Sequence, residues 1–167
     1  MLNVITQDLI TQDDFRNAVA HLSAAVNVVT TDGAGGLAGF TASAVCSLTD
    51  NPAMLLVCLQ KKSSAYQAVK TNGVVCINTL GINNLELCKT FSSKKTMQHR
   101  FDDIQWQTST TGSPVLQEAV VCFDCTVVEF KNVETHDILL CKVEDIQYGN
   151  ISQPALVYYN RKFCELS

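Results

Sequence analysis

Two long β-rich runs, Ala119 to Phe130 and Asp137 to Ile146, follow one another with only Lys131 to His136 between them. Their length and adjacency predict a long antiparallel ribbon, and the rest of the chain must be built around it. Shorter β-branched or apolar runs, Val26–Thr31, Gly39–Leu48, Ala53–Leu59, Val74–Asn78 and Ala155–Tyr159, supply further strands. The first two are joined by the turn Asp32-Gly33-Ala34-Gly35-Gly36. That turn lacks the residue order of a phosphate loop and has no helix after it. Six or seven strands with a few short peripheral helices point to a mainly β chain closed into an antiparallel barrel, because closure removes exposed edges. Thr11-x-x-Asp14 resembles a capping box, and Phe15, Val19 and Leu22 continue it at helical spacing, predicting a helix from Gln12 to His21. Ser63 is expected to cap a second helix ended by Asn72-Gly73, and Asn83–Phe91 reads as a third. Ser92 to Gly112, polar apart from Phe101, Ile104 and Trp106, reads as a long surface excursion.

At 167 residues and 47% hydrophobic content the chain suits one domain with a substantial core. Charged residues make up 17%, the net charge is -4, and no basic block exceeds Lys61-Lys62 or Lys94-Lys95, which argues against a nucleic-acid partner. The stretch Met1–Asp14 carries no basic n-region or apolar h-region, and no run reaches the roughly 20 apolar residues of a membrane span. A soluble, cytoplasmic protein is expected, with low charge and many aliphatics hinting at an oligomer. Eight cysteines could suggest disulfides, but Cys46, Cys58, Cys76, Cys122, Cys125 and Cys141 all lie in apolar strand-like runs, where the thiol acts as a small hydrophobe. Cys122 and Cys125 form a C-x-x-C spacing, yet residues three apart on a strand face opposite sides of the sheet. No metal site is expected.

The stretch from Gly39 to Ser64 carries the binding chemistry. Small hydroxyl residues run along the first strand, and Lys61-Lys62-Ser63-Ser64 closes the second. Thin side chains let a flat heterocycle lie close to the backbone, while hydroxyls and ammonium groups suit a phosphate tail. The other reading of Lys61 to Ser64 is a capped helix start with two solvated lysines. Among the histidines, His21 and His99 read as surface residues. His136 lies at the mouth between the two long strands, where binding groups concentrate, although a turn histidine is also common. Arg161, flanked by Tyr159 and Phe163, is either a ligand-stacking cation or an ordinary surface one. No carboxylate pair stands out as an acid–base couple.

In order and at matching spacing, Phe15–Ala18, Leu22–Thr31, Gly39–Thr49, Leu55–Leu59, Cys76–Leu80, Thr135-His136 and Tyr159–Phe163 resemble the flavin reductase family of flavin-binding split barrels. Within it, the likeness is greatest to the small reductase components of 4-hydroxyphenylacetate 3-monooxygenases. It covers residues 15–163 and is tightest in the first half. The resemblance implies a six-stranded Greek-key split barrel, dimeric, with FMN or FAD near the subunit interface. It also implies NADH, or NADPH, as hydride donor and reduced flavin handed to a separate oxygenase. By motif, Thr41, Ala42 and Ser43 would line the isoalloxazine edge with Ser47 nearby. Cys58, Leu59 and Gln60 would present backbone to the ring, and Lys61, Lys62, Ser63 and Ser64 would meet the phosphate. Phe91 matches an aromatic near the flavin tail, and His136 and Arg161 would face the nicotinamide or the flavin's outer side. Lys61-Lys62 is more basic than many relatives carry, which would either strengthen phosphate binding or favour FMN. Asn160 replaces a residue that is often basic, and Ser92–Gly112 matches poorly. A non-catalytic flavin- or haem-binding carrier or sensor, or a pyridoxamine-phosphate oxidase-like enzyme, would share the same barrel.

Overall fold

The computed structural model describes residues 10–167; most of the stretch expected to lack a leader falls outside them. In chain order the elements are α1 (Gln12–Val19), β1 (Ala24–Ala25), β2 (Asn27–Thr31), β3 (Ala38–Ala42), β4 (Val45–Asp50), β5 (Ala53–Gln60), α2 (Tyr66–Asn72) and β6 (Val74–Thr79). They continue with α3 (Leu85–Ser92), β7 (Trp106–Thr108), β8 (Pro114–Leu116), β9 (Val121–Val133), β10 (His136–Tyr148), β11 (Ala155–Tyr159) and β12 (Lys162–Leu166). The expected ribbon is present: β9 and β10 pair antiparallel from His136↔Val133 to Tyr148↔Val121.

The main sheet has seven strands in the order β3-β2-β6-β9-β10-β5-β4. The residue runs led to six or seven strands and the resemblance to six; the sheet has seven, and the reason is local. The run Gly39–Leu48, read as one strand, breaks at Ser43-Ala44. Its first half pairs with β2, from Thr31↔Ala38 to Asn27↔Ala42, and its second half pairs with β5, beginning at Val45↔Val57. Ser43 stands outside both ladders. The sheet's two edge strands are therefore joined by two residues, and three trans Cα steps span at most about 11 Å. The sheet must curl until its own edges meet, and the slit between them falls at Ser43-Ala44.

Alternation along the strands gives the curled sheet two apolar faces. Val29, Phe40, Val57, Leu59, Ile77, Cys125 and Leu139 form one cluster, closed by Ala65 and Val69 at α2. Val28, Cys76, Leu80, Cys88, Phe91, Leu116, Cys122 and Leu156 form the other, under α3, β8 and β11. Every residue of β2 is buried because both of its faces are covered. Cys122 and Cys125 fall in different clusters, as their spacing requires, and all eight cysteines are free thiols. Burial pushes the Cys125 thiol well above its ordinary value and the Cys141 thiol up to about 12, so both stay protonated hydrophobes.

Three expectations need correction. Ser63 is not the cap of α2: the helix starts at Tyr66 with Ala65 before it and has no side-chain cap, while the Ser63 hydroxyl accepts from the Ala65 amide at 3.3 Å. The C-terminal expectation holds, with Gly73 left-handed at φ 67°. Ser92–Gly112 is not a surface excursion. Arg100 and Phe101 are buried, Phe101 packs edge-on against Phe91 with ring centroids 5.0 Å apart, and β7 pairs with β8. The buried Asp124 carboxylate then accepts from the Ser109 hydroxyl and from the Thr111 amide and hydroxyl, tying the 109–113 turn to β9. Finally, the chain after Tyr159 turns back as β12, through Asn160 and Arg161 at φ 46° and 61°. Positive φ at both central residues is the hairpin geometry whose twist matches paired strands.

Among the described residues no helix is long and apolar enough to cross a membrane, and no cluster of His, Cys, Asp or Glu has metal-binding geometry.

Candidate functional site

A cleft of about 380 Å³ opens along the slit, between the end of β3, the end of β5 and the C-terminal end of α3. Ten of the fourteen residues nominated from sequence line it: Thr41, Ala42, Ser43, Cys58, Leu59, Gln60, Ser63, Ser64, Phe91 and His136. Ser47, Lys61, Lys62 and Arg161 do not.

The wall at residues 41–44 is low because its side chains are small. Thr41 is held in place by donating its hydroxyl to the Cys88 carbonyl at 2.8 Å. Opposite, the Cys58 amide donates to the Ala44 carbonyl at 3.0 Å, which closes the slit at one point. Desolvation, reinforced by neighbouring Cys46, raises the Cys58 thiol. It therefore faces the cleft as a neutral group and not as a nucleophile. Phe91, 1% exposed, forms part of the floor.

The rim is set by the β9–β10 hairpin, where Glu134 takes a left-handed turn at φ 47°. The His136 Nδ1 lies 2.9 Å from the Thr135 hydroxyl. Below it the Asp137 carboxylate is buried and accepts from the Tyr66 hydroxyl at 2.8 Å, with the Lys70 and Lys61 ammonium groups at 3.4 and 3.6 Å. The Tyr66 hydrogen bond above all, then the two lysines, holds this carboxyl below its ordinary value. Lys61 also donates to the Glu134 carbonyl at 2.7 Å and to the Asn132 side chain. Its charge is spent on fixing the hairpin. Lys61 and Lys62 instead line an adjoining groove of about 920 Å³ with Phe15 and Arg16 of α1, and Gln60 and His136 belong to both spaces.

Arg161 lies on the other side of the slit. It lines a cavity of about 350 Å³ that shares Thr41, Ser43 and Ser92 with the cleft, and its guanidinium donates to the Asn17 side chain at 2.6 Å. Ser47 is exposed on β4 away from all of these.

Four lining residues were not nominated: Phe40, Ala44, Ser92 and Arg100. Phe40 and Ala44 lie within the quoted motif. Arg100 had no sequence signal beyond the unusual Phe101 beside it in a polar stretch.

A curled sheet with a small-walled slit and the serines 63 and 64 in its lining has room at its wall for a flat ring. Residues 19–167 match the flavin reductase like domain, and the chain belongs to that family of flavin oxidoreductases. It is 51% identical over 150 residues to the FMN reductase (NADH) RutF of Agrobacterium fabrum, covering 90% of this chain and 86% of that protein. A crystal structure from Haemophilus somnus, of a chain assigned to the flavin reductases, superposes with TM-score 0.90 at 45% identity, covering 94% of this chain and 100% of that one. The flavin reductase PheA2 superposes with TM-score 0.84 at 26% identity, over 95% and 99% of the two chains.

Proposed function

We propose that this chain is an NADH-dependent flavin reductase that takes FMN as its flavin and releases it reduced to a separate oxygenase. One observation carries the reading. The slit is lined by thin side chains at residues 41–44 and by hydroxyl groups at Ser63 and Ser64, so a flat ring and a phosphate tail meet complementary surfaces in one cleft. The name of the Agrobacterium relative, FMN reductase (NADH), supports FMN and NADH as the pair.

Bound flavin would accept a hydride from nicotinamide at N5. The protein's part is geometric. Thr41, Ala42 and Ser43 let a second ring approach to roughly 3–3.5 Å, the range in which hydride transfer is competent. Leu59 and Phe91 exclude water from the floor. Ser63 and Ser64 donate to the phosphate; the Ser63 oxygen accepts the Ala65 amide, which leaves its hydrogen to give. His136 and Arg161, on opposite sides of Ser43, are positioned for the nicotinamide nucleotide. Lys62, beside the His136 rim, draws anionic nucleotides toward the groove. Lys61 acts through the hairpin.

A homodimer completes the proposal. Helix α1 buries none of its side chains, and Phe15, Val19 and Leu22 stand 62%, 40% and 70% exposed beside the slit. A second copy covering them would also shield the cleft. The partner oxygenase, including any of the 4-hydroxyphenylacetate type, and a cytoplasmic location belong to the same reading.

The test is NADH oxidation followed at 340 nm with purified protein, with and without FMN or FAD. Oxidation that depends on added flavin and is faster with FMN supports the reading. Absence of turnover with any flavin, when the protein retains flavin tightly, replaces it with a carrier or sensor barrel.

A further inference from the structure

Arg100 is more than nine-tenths buried, at 7% exposure, yet it has no carboxylate partner among the described residues. Its guanidinium is held by main-chain carbonyls alone. Nε donates to Lys95 at 3.3 Å, Nη1 to Gly39 at 3.0 Å and to Phe91 at 3.1 Å, and Nη2 to Ser93 at 2.8 Å. A guanidinium has five N–H donors, so four are spent and one, on Nη2, is not. Carbonyl dipoles orient the group but leave its whole positive charge uncompensated, and a buried charge is costly unless an anion pairs with it. Arg100 also lines the cleft, with Ser63, Ser64 and Ser92. Of the cations near the cleft it is the one held at its wall, since Lys61 is committed to Asp137 and the hairpin and Lys62 faces the outer groove.

We infer that Arg100 is the residue that makes this cleft select a phosphorylated flavin, its unspent Nη2 hydrogen and its unpaired charge receiving the phosphate monoester while Ser63 and Ser64 donate beside it. This rests on the flavin reading of the cleft and adds the group that discriminates FMN from riboflavin, which has the same ring system and no phosphate. The four carbonyl bonds explain why arginine is needed. A lysine ammonium has three donors and no planar fork, so it cannot both span Gly39, Phe91, Ser93 and Lys95 and present a further N–H. The arrangement also couples binding to the fold, because the same side chain that meets the anion ties β3 to the end of α3 and to the 93–100 segment.

The experiment measures dissociation constants for FMN and for riboflavin, by quenching of flavin fluorescence, on wild type, Arg100→Gln and Arg100→Lys. Wild type is expected to prefer FMN. Arg100→Gln is expected to lose roughly tenfold or more in FMN affinity, the range for a hydrogen bond to a charged group, with riboflavin affinity changed by less than about twofold. Arg100→Lys should fall between the two, and it serves as the test if the glutamine variant does not fold. An FMN-to-riboflavin ratio equal to that of wild type in the folded variants overturns the inference, as does equal weakening of both flavins, which would mark Arg100 as only a structural tie. If wild type binds neither flavin, the reading of the cleft itself falls and this inference with it.

Discussion

A single methyl group at Gly39 should distort the cleft from behind. A Cβ placed there would lie 2.5 and 2.9 Å from two ring carbons of Phe91 and 3.3 Å from the ring of Phe101, where ordinary contact is 3.4–4 Å. The Phe91 ring would have to retreat by about 1 Å, but at 1% exposure and packed edge-on to Phe101 it has no solvent to move into. Overpacking of this kind costs about 1–3 kcal/mol. Gly39 has no positive φ to lose, so alanine would also restrict the unfolded chain and stabilise the fold by about 0.4–1 kcal/mol. The net is a destabilisation of about 1–2 kcal/mol, or about 2–8 °C in melting temperature for a chain of this size. Thermal unfolding of Gly39→Ala by circular dichroism measures it, and flavin affinity should fall in parallel because Phe91 is the cleft's floor. Adding Phe91→Leu should return part of the lost stability relative to Gly39→Ala alone, as residues in contact do when their effects couple. The sign is decisive. A melting temperature equal to or above wild type would mean that the Gly39–Phe91 contact is loose, and the account of the cleft's rigid floor would fail.

Ser43→Trp, at an exposed position on the slit, should leave the fold and melting temperature intact while cutting flavin-dependent NADH oxidation by roughly a hundredfold or more, since ring stacking loses its geometry; full activity would remove the slit as the ring site. Asp137→Asn should lower the melting temperature at neutral pH by releasing Tyr66, Lys70 and Lys61. Because the folded carboxyl titrates below its ordinary 3.8, its contribution is full above that value and is lost as pH falls through the lower folded value. The wild-type advantage over the variant should therefore shrink in melts taken below pH 4, and a constant gap would contradict the pairing. Thiol labelling of the native protein followed by mass spectrometry should modify Cys46 first and then the half-buried Cys58 and Cys164. The buried Cys76, Cys88, Cys122, Cys125 and Cys141 should react only after unfolding.

The ribbon β9–β10 was legible because two long β-rich runs with a short connection leave little else to form, and the turn at Asp32–Gly36 because glycines punctuate it. The break at Ser43-Ala44 was not. Nothing in a run of small β-compatible residues marks where a strand changes partner; that is decided by closure of the whole sheet, a non-local event. The Asn160-Arg161 turn was hidden for the opposite reason, since its left-handed pair carries no glycine and Arg161 read as a lone cation. Most of the cleft was readable through Gly39–Ser64, where chemistry and order along the chain coincide. Lys61 was expected at the phosphate and is instead tied to Asp137 and the hairpin, while Arg100 drew no reading at all. A surface-looking lysine is tied down by Asp137, 76 positions away, and an arginine in a polar stretch is buried by carbonyls on three separate segments. Charge in a sequence states what is present, and only packing states which charge is left over.

A sheet that bends round to meet itself but stops short leaves a place where main-chain groups have no neighbouring strand. At Ser43 that place is also a wall of the cleft proposed to bind the flavin. Whatever enters there stands in for the missing strand, and it is recognised through backbone that every residue type carries. Substitution along residues 41–44 is thus constrained in bulk far more than in chemistry.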